Sequence, residues 1–249
     1  MTGFYITTSW DDGHPLDLRL AELLARYGLP GTFYVPRRAE QAVMADTQLR
    51  ELAKAFEIGA HTLSHVVLPG VADSVAEREI RDSKTYLQDL LGRPVPMFCF
   101  PRGRFRARHV RMLTRAGFLG ARTTELFSLR PPVHRDGIVL LPTSIQAYPH
   151  GPVSYLRNFA RRFAWANFRC YVQVSEGRAW GRTAAALLNY AANRGGVFHL
   201  WGHSWEIEAC NQWRQLEDVF RLVNEQKPNA RFLSNGEICD SIRRSAGPV

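Results

Sequence analysis

The sequence predicts an α/β fold built on a sheet of parallel strands, open or closed into a barrel. Two features predict it: short apolar runs alternate with amphipathic stretches along the whole chain, and the connections between them are short. A third agrees. The chemically useful side chains stand just past apolar runs, where folds of this class gather their sites. With 249 residues, 45 % of them hydrophobic, the chain can bury the core of one large domain, so residues 1–249 are expected to form a single unit.

Phe4 to Trp10 is apolar and β-prone and opens the sheet. Leu16 to Tyr27 is an amphipathic helix, with Pro15 near its start and Gly28 past its end. Gly31 to Val35 is a short strand, Thr47 to Phe56 a helix, and Glu57 to Ala60 the strand that delivers His61. Val75 to Leu91 is a long helix stopped by Gly92. A strand follows at Pro96 to Phe100, a helix at Ala107 to Ala116, and strands at Phe118 to Ala121 and Ile138 to Leu141. The proline-punctuated stretch Leu129 to Asp136 is expected as a loop. Beyond a less regular stretch lie helices near Val153 to Trp165 and Thr183 to Asn193. A strong strand at Gly196 to Trp201, a helix at Trp213 to Asn224 and a last strand at Ala230 to Leu233 complete the pattern.

No stretch approaches the roughly 20 uninterrupted apolar residues of a membrane-spanning helix. The N-terminus lacks a basic segment followed by an apolar run, which leads to the expectation of a cytoplasmic protein. Cys99, Cys170, Cys210 and Cys239 form no Cys-x-x-Cys pair and are expected to be free thiols. Net charge is +9, and the excess is almost all arginine, since Lys54, Lys84 and Lys227 are the only lysines. Such a balance suits nucleic acid, an anionic membrane surface or an anionic substrate. No nucleic-acid-binding signature accompanies it, so no nucleic-acid partner is expected. Oligomeric state is left open.

Four strand ends carry the chemistry: Asp11-Asp12, His61, Pro101-Arg102-Gly103 and His203. His61 and His65 have the spacing that lets both rings face one point on a helix or turn. With one aspartate they make a plausible Asp/His/His site for a divalent metal, and the second aspartate is left as a spare base. Thr62 stands where a His-Glu-x-x-His metalloprotease would place its base, so that motif is excluded. Taken singly, each feature also has a plain reading: Asp-Asp-Gly as a turn, His203 as a polar residue near the core. Together they form a complete hydrolytic set.

Ser9-Trp10-Asp11-Asp12-Gly13 resembles the Thr-Phe-Asp-Asp-Gly motif of the polysaccharide deacetylases, carbohydrate esterase family four. His61-Thr62-Leu63-Ser64-His65 matches that family's His-Ser/Thr-x-x-His, Phe98 to Gly103 resembles its third motif, and Leu200-Trp201-Gly202-His203 its last. The resemblance implies a distorted (β/α)7 barrel. It implies Asp12, His61 and His65 as ligands of a divalent metal, zinc foremost, and Asp11 as the base that activates water. The oxyanion would be held by the metal and a backbone N–H near Arg102, and His203, as imidazolium, would protonate the leaving amine. The implied substrate is an N-acylated amino sugar or glycoconjugate.

Three departures stand out. Cys99 occupies the third-motif arginine position that orients the catalytic aspartate in relatives, and Arg102 is the expected replacement. The Asp-x-x-Asp-Trp motif has no match, which leaves His203 without its usual carboxylate. Glu206 is one candidate partner, a solvated helix-start charge the other reading. The arginines at 102, 104, 106, 108 and 111 suit either a solvated helix face or a phosphate-bearing substrate. Trp201 and Trp205 flank His203 as pocket wall or core, His199 is expected inside, and the Tyr148–His150 loop could cover the site. The rival readings are a deformylase or another C–N hydrolase on the same scaffold, a non-catalytic carbohydrate-binding descendant, and a basic scaffold for nucleic acid.

Overall fold

The structure, a computed structural model, describes residues 3–162, 165–176 and 179–245. In chain order its first half comprises β1 (Phe4–Asp11), α1 (Asp17–Tyr27), β2 (Thr32–Val35), α2 (Asp46–Leu52), β3 (Glu57–Ala60), α3 (Asp73–Leu91), β4 (Met97–Cys99), α4 (Ala107–Arg115) and β5 (Gly120–Arg122). The second half comprises β6 (Val133–Arg135), β7 (Ile138–Leu141), β8 (Ile145–Gln146), α5 (Pro152–Arg162), α6 (Trp165–Val174), α7 (Trp180–Arg194), β9 (Gly196–Gly202), α8 (Ser204–Ala209), α9 (Trp213–Asn224), β10 (Arg231–Phe232) and α10 (Asn235–Ser245).

All ten strands join one sheet in the order β6-β7-β5-β4-β3-β2-β1-β9-β8, with β10 pairing the first half of β1. Every pairing is parallel except β6 with β7. The sheet curls into a half-barrel, the distorted (β/α) barrel that the motifs imply. β1 lies inside the sheet between β2 and β9, with all eight residues buried, as a strand covered on both faces requires. One apolar cluster fills the space between sheet and helices. A second, with Tyr5, Tyr34, Met97, Cys99, Val139, Leu141 and Val197, packs on the inner face against Ile238 and Cys239 of α10.

Several elements differ from expectation: β8, α6, α8 and α10 are unanticipated, and the helix expected near Val153 to Trp165 is α5, which ends at Arg162, with residues 163 and 164 of that range outside the described residues. Leu129 to Asp136 is not all loop: β6 pairs with β7 through a two-residue turn at Asp136-Gly137, whose φ values are 50° and 80°. That Asp-Gly pair with positive φ at both positions is the turn that fits the twist of a hairpin. α2 stops at Leu52, where the regular ladder gives way to i→i−3 turns, Lys54 N–H to the Glu51 carbonyl and Ala55 N–H to the Leu52 carbonyl. β5 starts later than expected, since the Phe118 N–H closes α4 by bonding to the Leu113 carbonyl. The strand runs on to Arg122, which pairs with Cys99 of β4 and Leu141 of β7.

Candidate active site

Successive residues of a strand point to opposite faces, so adjacent carboxylates on a regular strand could not share a site. Asp12 breaks the alternation with φ 78°, followed by Gly13 at 61°. Both carboxylates consequently line one cavity of about 410 Å³ at the C-terminal ends of the strands. Gly13 is needed there for space as well as conformation: a Cβ would come within 2.6 Å of Val35 Cγ1.

His61 and His65 follow β3 on a turn, with Thr62 at φ 57° and His65 at 54°. Glu79 of α3 braces it by accepting the Ser64 N–H at 2.8 Å, and the Leu63 carbonyl accepts the N–H groups of Arg37 and Arg38. Three left-handed non-glycine residues in the two turns mark backbone held against its own preference, a feature that concentrates at functional sites. His61 Nε2 lies 3.6 Å and His65 Nε2 3.2 Å from Asp12 Oδ1.

This trio fits a divalent cation. The Asp12 Oδ1 atom is buried and meets no donor with hydrogen-bond geometry among the described residues. His61 Nδ1 donates to the Cys99 carbonyl at 2.8 Å, which leaves the Nε2 lone pair aimed at the same point. Burial, outweighing the nearby carboxylates, pushes the His61 pKa down to about 4, so the ring is neutral as a ligand must be. For Asp12, burial favours the neutral acid, but His65, His203 and His61 outweigh it and hold the carboxyl below its usual range. The second oxygen, Oδ2, accepts the Trp205 indole N–H at 3.0 Å. Asp11, His61 and Cys99 also cluster within ligand distance. That set is less suited, because Asp11 is engaged by a guanidinium and burial raises the Cys99 thiol well above its ordinary pKa.

The guanidinium on Asp11 belongs to Arg122, not to Arg102. Arg122 Nη2 donates to the Asp11 carboxylate in the interior, with both side chains nearly fully buried. Its charge, first among the lowering influences and aided by the protonated His203, overcomes the burial of Asp11 and holds that carboxyl below the usual range. The flat cation lies 4.4 Å from the Trp201 ring centre and 5.5 Å from that of Tyr34. Arg122 and Cys99 are register partners across the β4–β5 ladder, so the cation stands one strand over from the position where the motif has it. Arg102 instead sits at the cavity mouth, mostly exposed, with Nη2 3.4 Å from Glu40.

His203 faces the two aspartates from the end of β9, its Nε2 3.9 Å from both Asp11 Oδ2 and Asp12 Oδ2. Its Nδ1 lies 2.5 Å from Glu206 Oε2, one turn into α8. The same oxygen accepts from Gln146 Nε2 at 2.8 Å, and Gln146 Oε1 accepts from His150 Nε2 at 2.8 Å. Burial disfavours the His203 charge, but Glu206 and then the two aspartates more than reverse this and push the pKa up to about 9. Gln146 escaped the sequence reading because β8 is only two residues long. His199 is buried, between Ser9 Oγ at 2.8 Å and the Pro142 carbonyl at 2.9 Å. Trp201 and Trp205 both wall the cavity, and His150 from the Tyr148–His150 loop lines it. Of the arginine run, Arg108 is paired with Asp73 at 2.7 Å, while Arg104 and Arg106 border a neighbouring cavity with Pro69 and Gly70.

Residues 2–121 match the family model described as polysaccharide deacetylase. No curated protein matches the sequence. Among solved structures, a Mycobacterium smegmatis protein assigned to the polysaccharide deacetylases superposes with TM-score 0.69 at 16 % identity, over 98 % of this chain and 91 % of its own. Puue allantoinase gives 0.68 at 11 % identity, over 99 % and 92 %. A family 4 acetyl xylan esterase from Clostridium thermocellum, solved with a cobalt ion, gives 0.59 at 16 %, over 98 % and 93 %. At these identities the likeness is one of fold.

Proposed function

Because residues 2–121 match the polysaccharide deacetylase family model, we propose that the chain is a member of that family and that residues 1–249 form one metal-dependent hydrolase that removes an N-acyl group, acetyl first among them, from an amino sugar or glycoconjugate. The observation that carries this reading is the convergence of Asp12, His61 and His65 on one point beside a separate, arginine-held Asp11. The three would hold the cation, with zinc first among those that Asp/His/His accepts. The cobalt ion in the xylan esterase supports a metal in this fold. A divalent cation bound there supplies a Lewis acid for water and for the acyl oxygen.

The chain's own groups divide the proton work. Asp11, kept ionised by Arg122, accepts the proton of the attacking water. His203, kept protonated by Glu206, donates from Nε2 to the departing amine nitrogen. At the turn after β4 the Gly103 and Arg104 N–H groups are committed to the Phe100 and Pro101 carbonyls. The Arg102 N–H has no acceptor among the described residues and is the available oxyanion donor. Trp201, Trp205 and Leu126 offer apolar walls for a sugar face and an acyl chain. Arg102 at the mouth suits an anionic, phosphate-linked substrate. The four free cysteines support a reducing, cytoplasmic setting.

Purified enzyme incubated with N-acetylated and N-formylated sugars, free, nucleotide-linked and lipid-linked, should release acid and free amine from at least one, read by mass spectrometry. Asp12→Asn should lose the stoichiometric metal. Asp11→Asn should keep the metal and lose turnover. Metal retained in Asp12→Asn, or full turnover in Asp11→Asn, overturns the proposal. The fold shared with an allantoinase favours keeping a ring amide in the panel as the second reading.

A further inference from the structure

The helices α5 and α6 bury one face and expose another that is not polar. Their inner sides meet in an aromatic cluster: Phe127 packs against Tyr155, Phe159 and Tyr171 with centroids 5.1, 5.8 and 5.2 Å away. On the outward side of α5, Val153, Leu156, Arg157 and Ala160 are exposed at i, i+3, i+4 and i+7. On α6, Trp165, Arg169 and Val172 repeat the pattern at i, i+4 and i+7. Val153, Leu156, Trp165 and Val172 are 60, 45, 60 and 65 % exposed, and they are most of the exposed large apolar side chains among the described residues. An ordinary surface helix turns charged and polar groups outward. These two turn out apolar groups, with an arginine in the middle of each stripe.

The charge on this element has one sign. Residues 152–174 contain four arginines and no aspartate or glutamate, in a chain whose net charge is +9. Exposed apolar side chains interleaved with arginine match a lipid surface bearing negative headgroups: the apolar groups enter the acyl boundary and the guanidinium groups meet phosphate. No helix among the described residues is long and apolar enough to cross a membrane, so such contact would be at the surface. The position has functional meaning, because Ser154 and Asn158 on the flank of α5 line the cavity that holds Asp11, Asp12 and His203.

We propose that α5 and α6 form a docking surface for an anionic lipid bilayer, which sets the cavity mouth at the headgroup plane. The proposal goes beyond the hydrolase reading and does not depend on it. Docked this way, the cavity meets glycoconjugates whose anchor is in the lipid and whose sugar stands just above the phosphates.

Co-sedimentation with vesicles tests it on the full chain. The protein should pellet with phosphatidylcholine vesicles containing phosphatidylglycerol and stay in solution with pure phosphatidylcholine, and added salt should weaken the binding. Leu156→Glu with Trp165→Glu should reduce binding about tenfold or more, as should Arg157→Gln with Arg169→Gln. The second pair leaves the apolar stripe intact and guards against misfolding of the first. Both pairs should keep the parent melting temperature and metal content. Equal binding to both vesicle types, no binding to either, or undiminished binding by both variant pairs overturns the proposal. So does a parent dimer in light scattering that Leu156→Glu with Trp165→Glu makes monomeric, since the face would then belong to a second copy. Failure of the hydrolase reading is seen separately, as absent turnover on soluble substrates with vesicle binding unchanged.

Discussion

Removing the Arg122 guanidinium would leave the Asp11 carboxylate buried without a counter-charge. Breaking such a pair costs about 3–5 kcal/mol, so Arg122→Leu should lose stability on that scale in chemical denaturation and lose turnover with it. Asp11, held below the usual carboxylate range, contributes stability above that range that is lost as pH falls through its lowered pKa. His203 runs the other way. Folding raises its pKa from 6.5 to about 9, so its pairing stabilises fully below pH 6.5 and fades as pH climbs through 9. As the proton donor, His203 should set the alkaline limb of the rate profile. Glu206→Gln removes the largest source of that rise, so the limb should move to lower pH and kcat should fall about 10²-fold. Glu206→Asp should restore part of both. A limb unmoved in Glu206→Gln would mean that this carboxylate does not govern the imidazole. At this scale the side chains that the sequence singled out largely meet in one cavity, the candidate site. Asp11, Asp12, His61, His65 and His203 were legible from residue type and strand-end position. Arg122 was not, because an arginine after Gly120-Ala121 looks like any surface charge until the strand is known to include it.

Elements were legible where one face is buried and the other is not. The amphipathic helices α1, α3, α4 and α9 and the strand Glu57–Ala60 came out close to their sequence bounds, since their periods are clean. β6 was missed for a physical reason: all three of its residues are exposed, so it has no alternation to see, and only the Asp136-Gly137 turn announced it. β8 and α8 are too short to show a period at all. The turns that carry the site can be tested at this scale. Gly13→Ala must place a methyl against Val35 and keep a left-handed φ. It should cost about 1–3 kcal/mol and weaken metal uptake, read by a denaturation curve and by metal analysis of the same sample. Normal stability with lost metal would separate geometry from folding.

The apolar clusters on both faces of the sheet are built from side chains contributed by strands and helices along the whole chain, so the core packs without needing a metal to bridge it. Chelation should therefore abolish turnover while far-UV circular dichroism stays unchanged. The melting temperature should fall only by the linkage expected for a ligand of the folded state, about 4 kcal/mol when the metal is a thousandfold above its dissociation constant. Collapse of the spectrum on chelation would contradict this. The neighbouring places of Cys99 and Arg122 on the β4–β5 ladder have a wider consequence. Here the guanidinium reaches the Asp11 carboxylate from the strand beside the one that carries the third motif, so the signature of the site is a height inside the curl rather than an address along the chain. Pattern searches that insist on the linear address will pass over chains built like this one. Exchanging the two side chains, Cys99→Arg with Arg122→Cys, is the direct way to learn how freely that charge can migrate.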